Sequence, residues 1–205
     1  MARLAGGHVP PADGSVTVLP APSGARAVVV GGTAWHVVAA DVGPDWVAAQ
    51  TAADPLSAPL GARFLTALAD QVGSEPGCLD VVLVAPALDG VAEAAVQLQE
   101  MAVSGTSHPR VGRALTHRRD VRAWTTGEDS SLLTLGRGVA GRLEVSIEVE
   151  PSERGRGLGT AVARTARRIS TEPIWAQVAP ANTASLRAFL AAGYRPVGAE
   201  VLFGP

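Results

Sequence analysis

The 205-residue chain contains no lysine; all 17 of its basic residues are arginines. A Walker-type phosphate loop closes on a Lys-Ser or Lys-Thr pair, so that route to nucleotide binding is excluded. Cysteine is almost as scarce. Cys78 stands alone, which rules out an internal disulfide and points to a reducing, cytoplasmic setting. Its position just before an apolar strand suits a packed thiol better than a nucleophile. One tyrosine, three phenylalanines and an acidic first half argue against a nucleic-acid partner, despite arginines at 110, 113, 118, 119 and 122. No stretch approaches the roughly 18 apolar residues of a membrane span, and the first residues lack the apolar core of a signal peptide. No His/Cys/Asp cluster has metal-ligand spacing, and no nucleophile elbow marks a Ser-His-Asp arrangement. The expectation is a cytoplasmic protein with no metal and no membrane partner; its oligomeric state is open.

What the chain does have is glycine, 23 residues of it, and the informative ones lie between Val149 and Thr160. The run Val149-Glu150-Pro151-Ser152-Glu153-Arg154-Gly155-Arg156-Gly157-Leu158-Gly159-Thr160 follows a strand and opens a helix. Upstream, Leu143 to Glu150 alternates apolar and polar, the period of a strand with one buried face. Downstream, Leu158, Ala161, Val162, Ala166 and Ile169 form a helical stripe, with Arg164, Arg167 and Arg168 largely off it. Glycines at 155, 157 and 159 remove the Cβ atoms that would hold a bulky anion away, and the first amides of the helix have no internal partner. The helix dipole favours negative charge at the same place. The run therefore reads as a diphosphate grip. It is not a dinucleotide fingerprint, because its spacing is R-x-x-G-x-G and the preceding strand carries glutamates.

Arg154, Gly157 and Gly159 resemble the Q/R-x-x-G-x-G/A signature of the GNAT superfamily of acyl-CoA-dependent N-acyltransferases. A second motif agrees: Asn182, Ser185, Gly193 and Tyr194 stand at the offsets of that family's later asparagine, small residue, glycine and aromatic. The resemblance covers about residues 78–205. It implies that the amides of Arg154, Gly155, Arg156, Gly157, Leu158, Gly159 and Thr160 hold the pyrophosphate of acetyl-CoA, that the strand ending at Val149 lies beside its pantetheine arm, and that Asn182 and Ser185 are further coenzyme contacts. The implied activity is acetyl transfer to a primary amine, on a small molecule or a peptide, by direct attack on the thioester. A base is needed to take the ammonium proton. Glu144 matches a glutamate that many relatives carry near the start of this strand and is the first candidate; Glu148, on the same strand face, is the second. Phe189 departs from the pattern, since many relatives have a tyrosine there to protonate the departing thiolate. A module that binds acyl-CoA without turning it over is the alternative.

The implied fold is α/β, a mixed, mostly antiparallel sheet flanked by helices, with an N-terminal α/β extension over 1–76 and the acyltransferase-like domain over 77–205. Element by element, the expectation is a strand at 79–84, a helix at 91–101 capped by Asp89 and a helix at 109–118. Three antiparallel strands at 121–126, 131–137 and 142–150 follow, then the motif helix, a strand at 174–178, a helix at 183–192 and a last strand at 197–203. Residues 1–24, rich in Gly, Pro, Ala and Ser, read as loose at the start. Two strands at 25–30 and 35–40 around a Gly31-Gly32 turn and a helix at 60–72 complete the extension. Charge divides unevenly: residues 1–107 carry 3 Arg against 10 acids, residues 108–205 carry 14 Arg against 9 acids. The basic half is where an anionic coenzyme would gather.

Overall fold

A computed structural model describes residues 2–88 and 96–204. The chain divides into two compact units, one from Leu83 to Pro196 and the other from Ala2 to Val82 and again from Val197 onward. In the latter, α1 (Ala2–Ala5), β1 (Ser15–Leu19), β2 (Ala27–Gly32), β3 (Trp35–Ala40), α2 (Pro44–Thr51), α3 (Ala62–Val72) and most of β4 (Pro76–Ala85) follow in order. In the former come β5 (Gln99–Met101), α4 (Pro109–His117), β6 (Arg119–Thr125), β7 (Ser131–Arg137), β8 (Leu143–Val149), α5 (Leu158–Ile169), β9 (Ile174–Val178) and α6 (Thr183–Ala191). The last strand, β10 (Arg195–Phe203), starts in the first-named unit and ends in the other.

In the unit holding the N-terminal residues, the strand order is β1-β3-β2-β10. β3 and β10 each pair antiparallel with β2, and β1 runs parallel to β3. Val29, Val38, Phe64, Leu68, Val201 and Phe203 are buried in one cluster; burying each large side chain contributes about 1.5–3 kcal/mol. Two expectations need correction here. Gly31 and Gly32 lie inside β2, and the turn falls on Thr33-Ala34, with Ala34 at φ 54°. The reason is steric: a Cβ on Gly31 would strike the His36 ring and one on Gly32 the Trp35 ring, so glycine lets both rings lie over the strand. The stretch read as loose also holds β1, whose alternation Ser-Val-Thr-Val-Leu sits among glycines and prolines that obscure it.

In the other unit, β9-β8-β7-β6-β5 is the order, with β5 to β8 antiparallel and β9 parallel to β8. α5 lays Val162, Ala163 and Ala166, all fully buried, against β7 and β8. The resulting mixed, mostly antiparallel sheet flanked by helices is the fold class the residues implied. The helix expected over 91–101 is not borne out in its described part. Gln99–Met101 is strand β5, paired with Ala123–Thr125, and Asp89 with the following residues to 95 lies outside the described residues. Cross-strand partners decide the matter: Glu100 takes two hydrogen bonds from Arg122, at 2.8 and 3.0 Å, and Met101 packs on Val111, Ala123 and Leu132. Such pairing overrides a helical period.

Candidate active site

The glycine-rich turn has the geometry its sequence implied. After β8 ends at Val149, a short 3-10 turn (Pro151–Glu153) leads to Arg154, and then Gly155 and Gly157 both take left-handed conformations, at φ 79° and 85°. Gly157 is the residue preceding α5, and the first helical bond is from the Ala161 amide to the Gly157 carbonyl, 3.0 Å. Among the described residues the amides of Gly155 to Thr160 donate to no protein acceptor. Residues 154–157 are exposed and 158–160 half-buried. Six consecutive N–H groups at the positive end of a twelve-residue helix can receive an anion the size of a diphosphate, with no Cβ in the way at three of the six positions. Arg154 donates from Nε to the Val149 carbonyl at 3.0 Å, which pins its guanidinium over the strand end. Arg156 forms only an exposed pair with Glu153, 3.1 Å.

Beside this turn the sheet opens. β8 and β9 are in register at Leu143↔Ile174 and Glu144↔Trp175 and no further, although β8 continues to Val149 and β9 to Val178. From Val145 onward the β9-facing edge of β8 is therefore unlatched, while its other edge stays paired with β7 along the whole strand. A wedge of free main chain at the end of β8 points at the same end of the unit as the turn. An extended, polar chain can lie there and take main-chain hydrogen bonds.

Helix α4 packs on β6 and β7, and arginines at its two ends reach the face of β8 that carries the glutamates. From Arg110 to Arg118 a helix rises about 12 Å; from Glu148 back to Glu144 a strand covers about 13 Å. The two therefore match end to end. Arg110 Nε donates to Glu148 Oε2 at 2.6 Å, and Arg118 Nε to Glu144 Oε2 at 3.0 Å. The environments differ sharply. The Glu144 side chain is 4% exposed and its other oxygen takes Arg142 Nε at 2.7 Å and the Val139 amide at 3.2 Å. Burial pulls the Arg118 guanidinium below its ordinary value, against the opposing pull of Glu144. Gly138 completes this nest, because a Cβ there would run into the Glu144 carboxylate. Glu148 is 36% exposed, with Arg110 as its hydrogen-bonding partner. That hydrogen bond holds its carboxyl below the usual range; burial opposes it, and the charges of Arg110, His108 and Arg154 add to it.

Of the residues singled out from the sequence, Glu148, Val149 and the run 154–160 gather at the open end of β8. Glu144 lies at the closed end, with both oxygens engaged. Asn182 caps α6, its Oδ1 accepting from the Ser185 amide at 3.2 Å. Tyr194 is buried, edge-on to Phe189 with centroids 4.9 Å apart, and burial pushes its phenol far up; both are core. Arg167, read as lying off the apolar stripe, is buried and donates to the Ala192 and Pro86 carbonyls at 2.7 and 3.0 Å. Trp175 is buried with Arg142 over its ring at 5.5 Å. His108 precedes α4 and accepts the Arg110 amide on Nδ1, 3.2 Å. The roles of Arg110, Arg118 and Arg142 were not visible in the sequence. The one signal for the first two was arginines eight apart on a helix facing glutamates four apart on a strand. Among the described residues no group of His, Cys, Asp and Glu could hold a metal ion, and no helix is long and apolar enough to cross a membrane.

Residues 124–194 match the family model of the Acetyltransferase (GNAT) family. No curated protein matches the chain. Solved structures similar to it include a GCN5-related N-acetyltransferase from Kribbella flavida (18% identity, TM-score 0.43, 69% of this chain and 63% of that one). Two others are a GNAT-family acetyltransferase from Colwellia psychrerythraea (10%, 0.44, 70% and 63%) and a GCN5-related N-acetyltransferase from Sphaerobacter thermophilus (17%, 0.43, 67% and 54%). The chain thus spans less than two thirds of the length of these structures.

Proposed function

From the premise that the chain carries a GNAT acetyltransferase-family domain across residues 124–194, we propose that it transfers an acetyl group from acetyl-CoA to a primary amine. The observation that carries the reading is the row of unpartnered amides from Gly155 to Thr160, which fits a pyrophosphate, with Arg154 adding a positive charge beside it. The open edge of β8 suits the pantetheine arm. Acetyl-CoA, when bound, supplies a thioester whose acyl carbon accepts the amine nitrogen. Glu148 takes one proton from the ammonium, directly or through a water, so that the neutral amine can attack. Main-chain amides at the open end of β8 stabilise charge on the carbonyl oxygen, and the fixed geometry supplies proximity. As the carbon–sulfur bond breaks, the second nitrogen proton balances the departing thiolate through solvent, since Phe189 has no group to give.

Glu144 serves in this scheme as the anchor of Arg118 and Arg142 rather than as the base. Binding tests the first half: at a hundred times its Kd, acetyl-CoA stabilises the fold by about 2.7 kcal/mol, seen as a higher Tm. Turnover tests the second. A primary-amine panel should release free coenzyme A, and Glu148→Gln should lower kcat about 10²- to 10³-fold while the coenzyme-induced Tm rise persists. Coenzyme binding with no turnover across the panel would favour the second reading, an acyl-CoA-binding module, which the buried Phe189 supports.

A further inference from the structure

The acetyl-transfer reading leaves the acceptor as any primary amine; the charges around Glu148 narrow it, and the argument here rests on that reading. Arg110 occupies the first turn of α4, which has no acidic residue and where the helix dipole disfavours a cation. It is held there by Glu148 at 2.6 Å, with both side chains about one third exposed. Arg154 also acts on Glu148, so one carboxylate lies in the field of two guanidinium groups. A polycationic acceptor, such as a polyamine, is repelled by this surplus. A simple monoamine that takes Glu148 Oε2 displaces Arg110 and leaves a half-buried guanidinium without its anion. An amine that also carries an oxyanion meets neither obstacle. Its ammonium takes the place of Arg110 on Glu148, and its carboxylate takes the place of Glu148 on Arg110.

We propose that the acceptor is a small zwitterionic amine, with a carboxylate or similar oxyanion a few bonds from the amino group, and that Arg110 is the residue that selects it. Binding exchanges one ion pair for two. The ammonium proton then passes to Glu148, the nitrogen forms its bond to the acyl carbon, the carbon–sulfur electron pair leaves with sulfur, and the remaining proton goes to the thiolate through solvent. Guanidinium fits this task because it meets a carboxylate through two parallel N–H groups. Arg110 acts on the substrate's spectator group, which makes it a specificity determinant distinct from the base.

The experiment compares amino acids with the amines left when their carboxylate is removed: phenylalanine with phenethylamine, tyrosine with tyramine, lysine with cadaverine. The acid-bearing member of each pair should show a kcat/KM about ten- to a hundredfold higher, the range of a charge-assisted hydrogen bond. In Arg110→Gln the KM of the acid-bearing member should rise more than that of its partner, bringing the ratio close to one, and Arg110→Lys should keep part of it. Circular dichroism and the acetyl-CoA Tm rise verify that the variants fold and bind. Equal or better use of the decarboxylated amines by the unaltered protein overturns this inference alone, as does a ratio unchanged in Arg110→Gln. Coenzyme binding without turnover of either set overturns acetyl transfer to amines, and this inference with it.

Discussion

The two ends of β8 carry the same residue type on the same face, Glu148 paired with an arginine in the first turn of α4 and Glu144 with the arginine that follows its last turn, yet their surroundings differ. At the closed end Glu144 is held by Arg118, Arg142 and the Val139 amide, with side-chain exposures of 4%, 11% and 1% for Glu144, Arg118 and Arg142. At the open end Glu148 and Arg110 stand about one third exposed, next to the unlatched edge and the amide-lined turn. A buried ion pair with both carboxylate oxygens engaged fixes a fold and resists exchange. A half-exposed pair with one hydrogen bond can trade partners at little cost. The same chemistry thus becomes scaffold at one end and an exchangeable pair at the other, and the difference is solvent.

The largest effect that tests this contrast is expected from Glu144→Ala. It removes the carboxylate that two buried guanidinium groups share, and stability should fall by about 3–5 kcal/mol, measured by urea unfolding. Glu148→Ala, at the other end, should change stability by no more than about 1 kcal/mol. Equal losses would erase the distinction between the two ends. Gly138→Ala attacks the closed end without touching its charges. The new methyl collides with the Glu144 carboxylate, so the nest must shift, at a cost of about 1–3 kcal/mol. Combined with Glu144→Ala, which removes the obstacle, the glycine substitution should cost less than it does alone, and such non-additivity is read from a double-mutant cycle.

How far the sequence discloses this arrangement depends on the distance over which each feature is determined. The glycine-rich turn was legible because its determinants are contiguous: a strand of strict alternation, three glycines and the start of a helix. Strands β7 and β9 were legible for the same reason, each bounded by turn residues. β5 was not, because three residues become a strand only through partners more than twenty positions away on β6. Alternation along β8 placed Glu144 and Glu148 on one face and could say nothing more. What separates them is Arg118, twenty-six positions earlier, the glycine at 138 that admits the carboxylate, and the divergence of β9 beyond Trp175. Period reports the face of a strand; only tertiary contacts report whether that face is wet.

The finest test of the contrast is titration at the open end. Glu148 is held below the ordinary carboxylate value, first by the Arg110 hydrogen bond and then, against burial, by the neighbouring positive charges. A folded-state pKa below the unfolded one means that this group contributes stability fully present above the unfolded value, about 4.3, and lost as pH falls through the depressed one. With Glu148 a third exposed, that contribution is less than about 1 kcal/mol. Arg110→Gln removes the principal cause, so the Glu148 carboxyl should titrate higher in the variant, as followed by carbon NMR of labelled glutamate. The stability gap between the unaltered protein and the variant should be constant from neutrality down to the ordinary carboxylate range and close below it. If Glu148 already titrates at the ordinary value with Arg110 in place, the pair is not formed in solution, and the open end of β8 would carry a free glutamate rather than one waiting for an exchange of partners.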